Sequence, residues 1–208
     1  NENAHEFRLT PWSDDPVGAS GGEAIYLRDE ESGHFWSPTP QPCSGAMPYV
    51  TRHGFGYSVF EHTAGGIHSE LWVFVDLDDA VKFSTLKIRN GSGRTRKLSA
   101  TGYVEWVLGD LRPKTAMHVV TEIDASSGAL FARNAYNSEF PERVAFFDVD
   151  DISRTLTGDR TEFLGRNGSL KHPDAMTRSR LSGRLGAGLD PCGAIQVPFE
   201  LADGEERQ

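Results

Sequence analysis

The feature that most constrains the fold of this chain is an alternation of side-chain character over residues 97–108. Successive residues of a β-strand point to opposite faces of a sheet, so a period of two predicts a strand with one face in a core and the other in water. The side chains predicted to face the core are Leu98, Ala100, Gly102, Val104, Trp106 and Leu108, and those predicted to face water are Lys97, Ser99, Thr101, Tyr103 and Glu105.

Other segments have the signature of short strands joined by turns. Residues 71–75 and 144–149 are apolar on both faces, which predicts strands in the middle of a sheet. Turn residues predict hairpins over 26–37, 88–94 and 123–130. The one convincing helix signal runs over residues 172–183, with a proline near its start. These patterns predict an all-β fold, an antiparallel sandwich with very little helix, in a single domain over residues 1–208.

Composition excludes some classes of partner for such a domain. The formal net charge of −9 argues against nucleic acid and anionic membrane surfaces, because phosphate contacts need a basic face. No apolar stretch approaches the roughly 18–20 residues that span a bilayer, so the domain itself is expected to make no membrane contact. Cys43 and Cys192 have no metal or redox spacing and are predicted to be free thiols, with one disulfide left open. The absence of an initial Met, together with an unpatterned C-terminus, predicts a fragment of a longer chain.

Several short motifs resemble catalytic or cofactor sites but lack the surroundings that those sites need. Residues 18–22 match G-x-S-x-G, yet no strand precedes them and no helix follows. Acidic pairs at 14–15, 30–31, 78–79 and 150–151 would point to opposite faces of a strand, whereas glycosidase carboxylates face each other across a sugar. The histidines lack metal-ligand spacing. We therefore predict no catalytic residue, no metal site and no cofactor in this chain.

The segment from Thr157 to Gly168 is the strongest candidate binding site. Loops that hold charge on a buried anchor often line sites, and an arginine can donate two parallel hydrogen bonds to sugar hydroxyls. A surface loop held by ion pairs is the alternative interpretation. The predicted substrate-binding residues are Asp159, Arg160, Glu162 and Arg166, with Phe163 and Leu164 as the anchor, and we call residues 159–166 the charged hook.

Several separate blocks of the sequence resemble a known family. The blocks are RLTPWSDDP at 8–16, EAIYLRDE at 23–30, FWSP at 35–38, RHGFGY at 52–57, YVEWVLG at 103–109 and the segment 158–168. Together they resemble the N-terminal supersandwich domain of glycoside hydrolase family 94, formerly glycosyltransferase family 36, which includes cellobiose and chitobiose phosphorylases. Residues 132–134, 137–140 and 188–192 bring the chain closest to the phosphorylase-like region of cyclic β-1,2-glucan synthases.

This resemblance implies a fold and a supporting role. It implies two large antiparallel sheets similar to the galactose mutarotase fold, followed in the family by an (α/α)6 barrel that is absent from these residues. That barrel supplies the catalytic acid and uses inorganic phosphate, so this fragment alone is predicted to be inactive. The resemblance makes Arg160 the residue expected to reach a sugar hydroxyl on the acceptor side of the cleft, with Glu162 and Arg166 holding the loop.

The resemblance also indicates partners and location. The expected partners are a β-glucan oligosaccharide and the catalytic barrel of the same polypeptide, and a homodimer is left open. The expected location is the cytoplasmic side of a bacterial inner membrane, within a larger membrane-anchored protein. Two alternatives remain at this point: a free-standing mutarotase-like epimerase using His53 or His118 with Glu105 or Glu122, and an independent glucan-binding module.

Overall fold

Strands account for most of the regular secondary structure in the described residues. The computed structural model describes residues 3–4, 7–12 and 21–208, and side chains from residue 7 onward within those ranges. The acidic pair at 14–15 and most of the G-x-S-x-G motif at 18–22 lie outside the described residues. In the described part the helices are at most five residues long. Neighbouring strands in that part pair in antiparallel orientation. The prediction of an all-β antiparallel fold with very little helix is confirmed.

The strands range from two to eleven residues in length. In chain order they are β1 (Asn3–Ala4), β2 (Phe7–Arg8), β3 (Glu23–Asp29), β4 (Phe35–Trp36), β5 (Val50–Gly54), β6 (Tyr57–Ala64), β7 (Ile67–Val75), β8 (Lys82–Asn90), β9 (Arg96–Glu105), β10 (Val120–Ile123), β11 (Leu130–Arg133), β12 (Val144–Phe147), β13 (Thr155–Asp159), β14 (Pro191–Leu201) and β15 (Glu206–Arg207). The helices are α1 (Arg112–Thr115) and α2 (Arg160–Leu164), with 3₁₀ helices at Ala116–His118 and Asp174–Thr177.

The chain divides into two compact units. The first unit comprises Asn1–Ala24 and Thr101–Val197, and the second comprises Ile25–Ala100 and Pro198–Gln208. The first contains the sheet β10-β11-β12, and the second contains the sheet β15-β8-β7-β6-β5. A further sheet has the order β13-β14-β9-β3-β4, and the chain passes from one unit to the other within β3, β9 and β14.

Each unit has its own hydrophobic core. In the first unit Val104 of β9 and Trp106, just beyond the end of that strand, pack with Val119 and Ala132, and a second cluster joins Leu130, Leu156 and Ile195. The core of the second unit joins the ends of β3, β9 and β14 to the five-stranded sheet through Leu27, Trp36, Ala64, Ile67, Ile88, Leu98, Phe199 and Leu201. Burial of these side chains is the main favourable contribution to folding.

The second unit leaves aromatic rings on one face of its five-stranded sheet. The register pairs Tyr57 with Phe74 and Phe74 with Phe83, so these side chains share a face with Trp72, which lies opposite Val59. Tyr57 stacks on Trp72 and Phe74 stacks on Phe83, each pair with ring centroids 5.3 Å apart. Tyr57, Trp72 and Phe83 are exposed. We call Tyr57, Trp72, Phe74 and Phe83 the aromatic face.

The structure corrects three predictions about strand faces. The face of β9 predicted to be wet is buried at Ser99, Thr101, Tyr103 and Glu105, and at Tyr103 the cover is the ring of Phe163 in α2. Strand β7 is central in its sheet as predicted, but its outer face is exposed at Trp72. Strand β12 is an edge strand, not a central one, and alternates in exposure.

Two of the three predicted hairpins are confirmed. Strands β3 and β4 pair through Leu27 and Trp36, and β10 and β11 pair from Ile123 to Leu130. The hairpin predicted at 88–94 is wrong, because β8 and β9 belong to different sheets and the Asn-Gly turn carries the chain between them. The C-terminal residues, which the sequence left unassigned, pair with β8 as strand β15.

The helix predicted over residues 172–183 is also wrong. Only Asp174–Thr177 is helical, as one 3₁₀ turn. The backbone N–H of Leu181 donates to Thr155 Oγ1 and that of Gly183 donates to the Leu156 carbonyl, so the segment follows β13 instead of bonding to itself. Tertiary pairing overrides local propensity here.

Candidate functional site

The charged hook is the end of a strand followed by a short helix. The Asp159 side chain accepts a hydrogen bond from the Thr161 backbone N–H at 3.0 Å, which caps the first turn of α2. Gly165 has φ 85°, a conformation that a glycine adopts without strain, and α2 ends there. Phe163 and Leu164 are buried, as predicted, so the helix is anchored from its apolar side.

Arg160, at the start of α2, is held by two carboxylates. Its Nε donates to Glu105 Oε2 at 2.8 Å, and its Nη1 lies 3.3 Å from Asp190 Oδ2. The backbone N–H of Arg160 also donates to the Asp190 carbonyl. One third of the side chain remains exposed. Burial alone would lower the pKa of Arg160, but the adjacent Glu105 carboxylate outweighs it and raises the pKa.

A second arginine completes the group from the other side of the same carboxylates. Arg112, the first residue of α1, places Nε 2.8 Å from Glu105 Oε1 and pairs through Nη2 with Asp190. The Tyr103 hydroxyl donates to Glu105 Oε2 at 3.0 Å, and burial followed by the Glu105 charge raises the tyrosine pKa strongly. We call Glu105, Arg112, Arg160 and Asp190 the arginine cluster. Its two positive and two negative charges balance, which is the condition under which buried charges are tolerated.

The other predicted site residues lie in different surroundings. Glu162 accepts hydrogen bonds from Thr157 Oγ1 and Ser182 Oγ, both at 2.6 Å, and lies 3.6 Å from Arg178. Burial would raise the pKa of Glu162, but the hydrogen bonds outweigh it and lower the pKa. Asp159 pairs with Arg184 at 2.8 Å. Arg166 is exposed beyond the end of α2.

The structure therefore brings Arg160 together with three residues that the sequence analysis did not place in the site. Glu105 was assigned to the wet face of β9, Arg112 precedes a proline at a helix start, and Asp190 is in the block 188–192. The signal that could have found Glu105 is a lone carboxylate between Tyr103, Val104, Trp106 and Val107, where burial requires a charge partner.

An open pocket lies beside α1, within the first unit. It has a volume of about 250 Å³. One wall is α1 and its neighbours, and the other is the turn after β11. Its lining residues are Gly109, Asp110, Lys114, Thr115, His118, Asn134, Tyr136, Asn137, Ser138 and Glu139. Their polar groups suit a ligand rich in hydroxyls more than an apolar one.

The residues proposed for an epimerase are engaged with other partners. Glu105 is held by two arginines, and Glu122 pairs with Arg133 at 2.6 Å. His118 stacks on Tyr136, and His53 Nδ1 lies 2.9 Å from Ser58 Oγ.

Metal-binding clusters and membrane-spanning helices are both absent from the part of the chain that the structure describes. Residues 7–12 and 21–208 contain no group of three or more His, Cys, Asp or Glu side chains arranged to hold a metal ion. No helix within these ranges has the length and apolarity needed to cross a membrane. Cys43 and Cys192 are free thiols, as predicted, and burial raises the pKa of each.

Comparison with known proteins identifies similar chains. The family model described as the supersandwich domain of glycosyl hydrolase 94 matches residues 1–208. The chain is 38% identical over 210 residues to the cyclic beta-(1,2)-glucan synthase NdvB of Rhizobium meliloti (strain 1021), an alignment that covers 100% of this chain and 7% of that protein. The supersandwich expected from the sequence blocks is confirmed by the family match.

Two phosphorylases are similar over nine tenths of the chain. The N,N'-diacetylchitobiose phosphorylase of Vibrio furnissii is 31% identical over 196 residues, covering 89% of this chain and 24% of that protein. The solabiose phosphorylase of Paenibacillus borealis is 31% identical over 191 residues, covering 89% and 25% respectively. The chain therefore spans a quarter or less of the length of these three relatives.

Proposed function

The chain belongs to the glycosyl hydrolase 94 supersandwich family, and from that membership we propose that it is a noncatalytic domain of a β-glucan-active glycoside phosphorylase or glycosyltransferase. In this role it packs on the catalytic region of the same polypeptide and shapes the acceptor side of the sugar cleft. The domain contributes contacts to the sugar, and the bond-breaking groups and the inorganic phosphate belong to the catalytic region.

The names of the relatives support the proposed substrate class. One is named for synthesis of a cyclic β-1,2-glucan, and others are named for phosphorolysis of N,N'-diacetylchitobiose and solabiose. In all three the matched region is a small part of a longer protein, which leaves room for a catalytic region in the same polypeptide. A location on the cytoplasmic side of a bacterial membrane, within a membrane-anchored protein, and assembly as a homodimer both belong to this proposal.

The observation that supports a noncatalytic role is the set of partners around Glu105 in the arginine cluster. Cleavage of a glycosidic bond needs an acid that can protonate the leaving oxygen. Glu105 receives an arginine at each carboxylate oxygen and the Tyr103 hydroxyl at one of them. Both carboxylate oxygens are therefore engaged by partners within the domain, which leaves neither to face a glycosidic oxygen.

Arg160 is the residue of the charged hook that we propose reaches the substrate. Glu105 and Asp190 fix the guanidinium from one side, and a third of the side chain remains exposed. A guanidinium that is already held loses little entropy when it donates to a sugar hydroxyl. Asp159 caps the helix, Glu162 ties the hook to Ser182, and Arg166 is a neighbour at its outer end.

The test is the Arg160→Ala variant in the full polypeptide that carries this chain. We expect the KM for the sugar acceptor in the synthetic direction to rise by about tenfold, equivalent to about 1.4 kcal/mol of lost contact, with a smaller change in kcat. The control is Arg180→Ala, because Arg180 is an exposed arginine of the segment that follows the second 3₁₀ helix. An unchanged acceptor KM with a large loss of melting temperature would assign Arg160 a structural role only.

A further inference from the structure

We propose that the pocket between α1 and the turn after β11 binds one neutral sugar unit of the glucan, with Tyr136 as its stacking platform. This inference deepens the proposed function, because it assigns a second place where the domain contacts sugar. It rests on different residues from the charged hook, and it can fail without the hook's role failing.

The platform is formed by two stacked rings. His118 and Tyr136 lie parallel, with an interplanar angle of 9° and ring centroids 4.3 Å apart. A parallel stack covers one face of each ring, and Tyr136 is nevertheless 80% exposed, so its other face is open. The face of an aromatic ring carries partial negative charge. The C–H groups on the face of a pyranose ring carry the complementary partial positive charge, so a sugar ring can lie flat on Tyr136.

The turn that carries Tyr136 is held rigidly by two asparagines. Buried Asn134 donates from Nδ2 to the Leu108 carbonyl at 2.8 Å and accepts from the Tyr136 backbone N–H at 3.1 Å. Asn137 accepts from the backbone N–H groups of Glu139 and Phe140 through Oδ1. The Oδ1 end of Asn137 is thereby occupied, and its Nδ2 group is the end that can donate to a sugar hydroxyl. A site that is ordered before the ligand arrives loses less entropy on binding.

The other wall meets the turn at a glycine. A Cβ added to Gly109 would lie 2.5 Å from Thr115 Cγ2, too close for a larger residue, and 3.8 Å from Asn137 Nδ2, an ordinary contact distance. The preceding residue, Leu108, has φ 46°, which is uncommon for a residue other than glycine. Its carbonyl is the one that Asn134 binds. The two walls are therefore joined through the backbone of residues 108–109.

The charges of the lining favour a neutral ligand over an anion. Lys114 and Asp110 pair at 2.6 Å and cancel each other, which leaves the exposed carboxylate of Glu139. With His118 neutral the lining has a formal charge of −1, which repels phosphate and sugar phosphates. Carboxylate, amide and hydroxyl groups suit the hydroxyls of a neutral sugar. The volume of about 250 Å³ lies just below the roughly 300–1,000 Å³ of pockets for drug-sized ligands, which suits a single sugar ring.

The arginine cluster positions this pocket. Helix α1 begins with Arg112, which is bound to Glu105 and Asp190, and two residues later the same helix supplies Lys114 and Thr115 to the pocket wall. The ion pairs therefore hold the first residue of α1, and Lys114 and Thr115 follow within the same single turn.

The test measures occupancy of the pocket by protection of an introduced thiol. Ser138→Cys places the thiol on the exposed lining, in the full polypeptide and in a Cys43→Ser background. We expect a β-linked glucose disaccharide, at three times its dissociation constant, to slow alkylation of the Ser138→Cys thiol about fourfold, since the protected fraction follows mass action. Inorganic phosphate at the same concentration should give no protection. The matched control is Ser179→Cys, an exposed serine outside the pocket, whose alkylation the sugar should not change.

Further substitutions at the platform locate the sugar. Tyr136→Ala should abolish the protection, and Tyr136→Phe should retain most of it because the ring face is kept. Absence of protection by glucose, the disaccharide and longer β-glucan oligosaccharides would overturn the proposal, as would equal protection by phosphate or protection that survives Tyr136→Ala. If protection is absent while Arg160→Ala still raises the acceptor KM, the pocket fails and the proposed function stands.

Discussion

The arginine cluster of the first unit and the aromatic face of the second depart from the usual distribution of residues in opposite directions. The cluster places charge where apolar side chains normally lie, with Glu105 8% exposed. The aromatic face leaves Tyr57 42% and Phe83 43% exposed. Charged residues are seldom buried without partners, and large contiguous apolar surfaces are seldom left open.

This difference predicts which of the two regions contributes more to the stability of the fold. Removing Glu105, the buried member of the cluster, leaves the two arginines without one of their carboxylates, so the cost is large. Removing a ring that is already partly in water forfeits little burial. The cluster is therefore expected to affect both stability and the geometry of the hook, whereas the aromatic face is expected to affect stability little.

The largest effect is expected from Glu105→Ala. The substitution leaves Arg112 and Arg160 facing each other with one carboxylate between them, so we expect unfolding free energy to fall by about 3–5 kcal/mol. Urea denaturation measures this loss. The matched control is Glu122→Ala, since Glu122 pairs with Arg133 on the surface and its loss should cost at most about 1 kcal/mol. Equal costs for the two variants would contradict the distinction between the cluster and surface pairs.

Two tryptophans of the second unit compare buried and exposed rings directly. Trp36 is 2% exposed in the core and Trp72 is 37% exposed on the aromatic face. We expect Trp36→Ala to cost about 3–5 kcal/mol, as for large core truncations. Trp72→Ala should cost about 1 kcal/mol, chiefly its stacking on Tyr57. Thermal unfolding of the two variants measures the difference, and a Trp72→Ala cost near that of Trp36→Ala would show that the aromatic face is part of the core.

The ionised carboxylate of Glu162 should give stability a pH dependence. Its folded-state pKa lies below the ordinary 4.5, so folding favours the ionised form. That contribution is fully present above about pH 4.5 and is lost as the pH falls through the lowered pKa. Unfolding free energies of the unmodified chain and of Glu162→Gln should therefore differ by a constant amount from neutral pH down to about pH 4.5 and converge as the pH falls further. A difference that stays constant below about pH 4.5 as well would mean that the carboxylate charge is not what holds the hook.

The smallest effect is expected from Arg166→Ala. Arg166 is exposed beyond α2, so we expect the unfolding free energy to change by no more than about 0.5 kcal/mol. A loss as large as that of Arg160→Ala, measured by the same denaturation, would place Arg166 in the structural network of the hook.

Turn residues predicted a hairpin correctly where the turn is stabilised by hydrogen bonds among its own residues. The turn at 124–128 closes the β10–β11 hairpin because Asp124 accepts bonds from Ser126 and Ser127 within the turn itself. The Asn-Gly signal at 90–91 is of the same kind, but Asn90 donates to the Leu201 carbonyl, which is 111 residues away. Whether a turn joins strands of one sheet or of two depends on such distant partners, which a local pattern does not contain.

For the candidate site too, the sequence indicated the local segment but not its distant partners. Glycines and charges close together in the sequence mark the segment that contains Arg160, and the family resemblance singles out Arg160 as the expected binding residue. Glu105 and Asp190, its partners, are 55 and 30 residues away. The alternation over 97–108 predicted a strand correctly but assigned Glu105 to water, since a period of two does not say whether the second face is covered. In the folded chain Phe163 and the arginines cover it.

The central claim is that the buried charges of this domain position contacts and do not perform chemistry. The most direct measurement is the turnover of Glu105→Gln in the full polypeptide, at a temperature where the variant is folded. Our account predicts a kcat within about tenfold of the unmodified enzyme and the same pH–rate profile, because the acid is elsewhere. A fall in kcat of about a thousandfold or more, with loss of one limb of the pH–rate profile, would identify Glu105 as a catalytic acid and contradict the account.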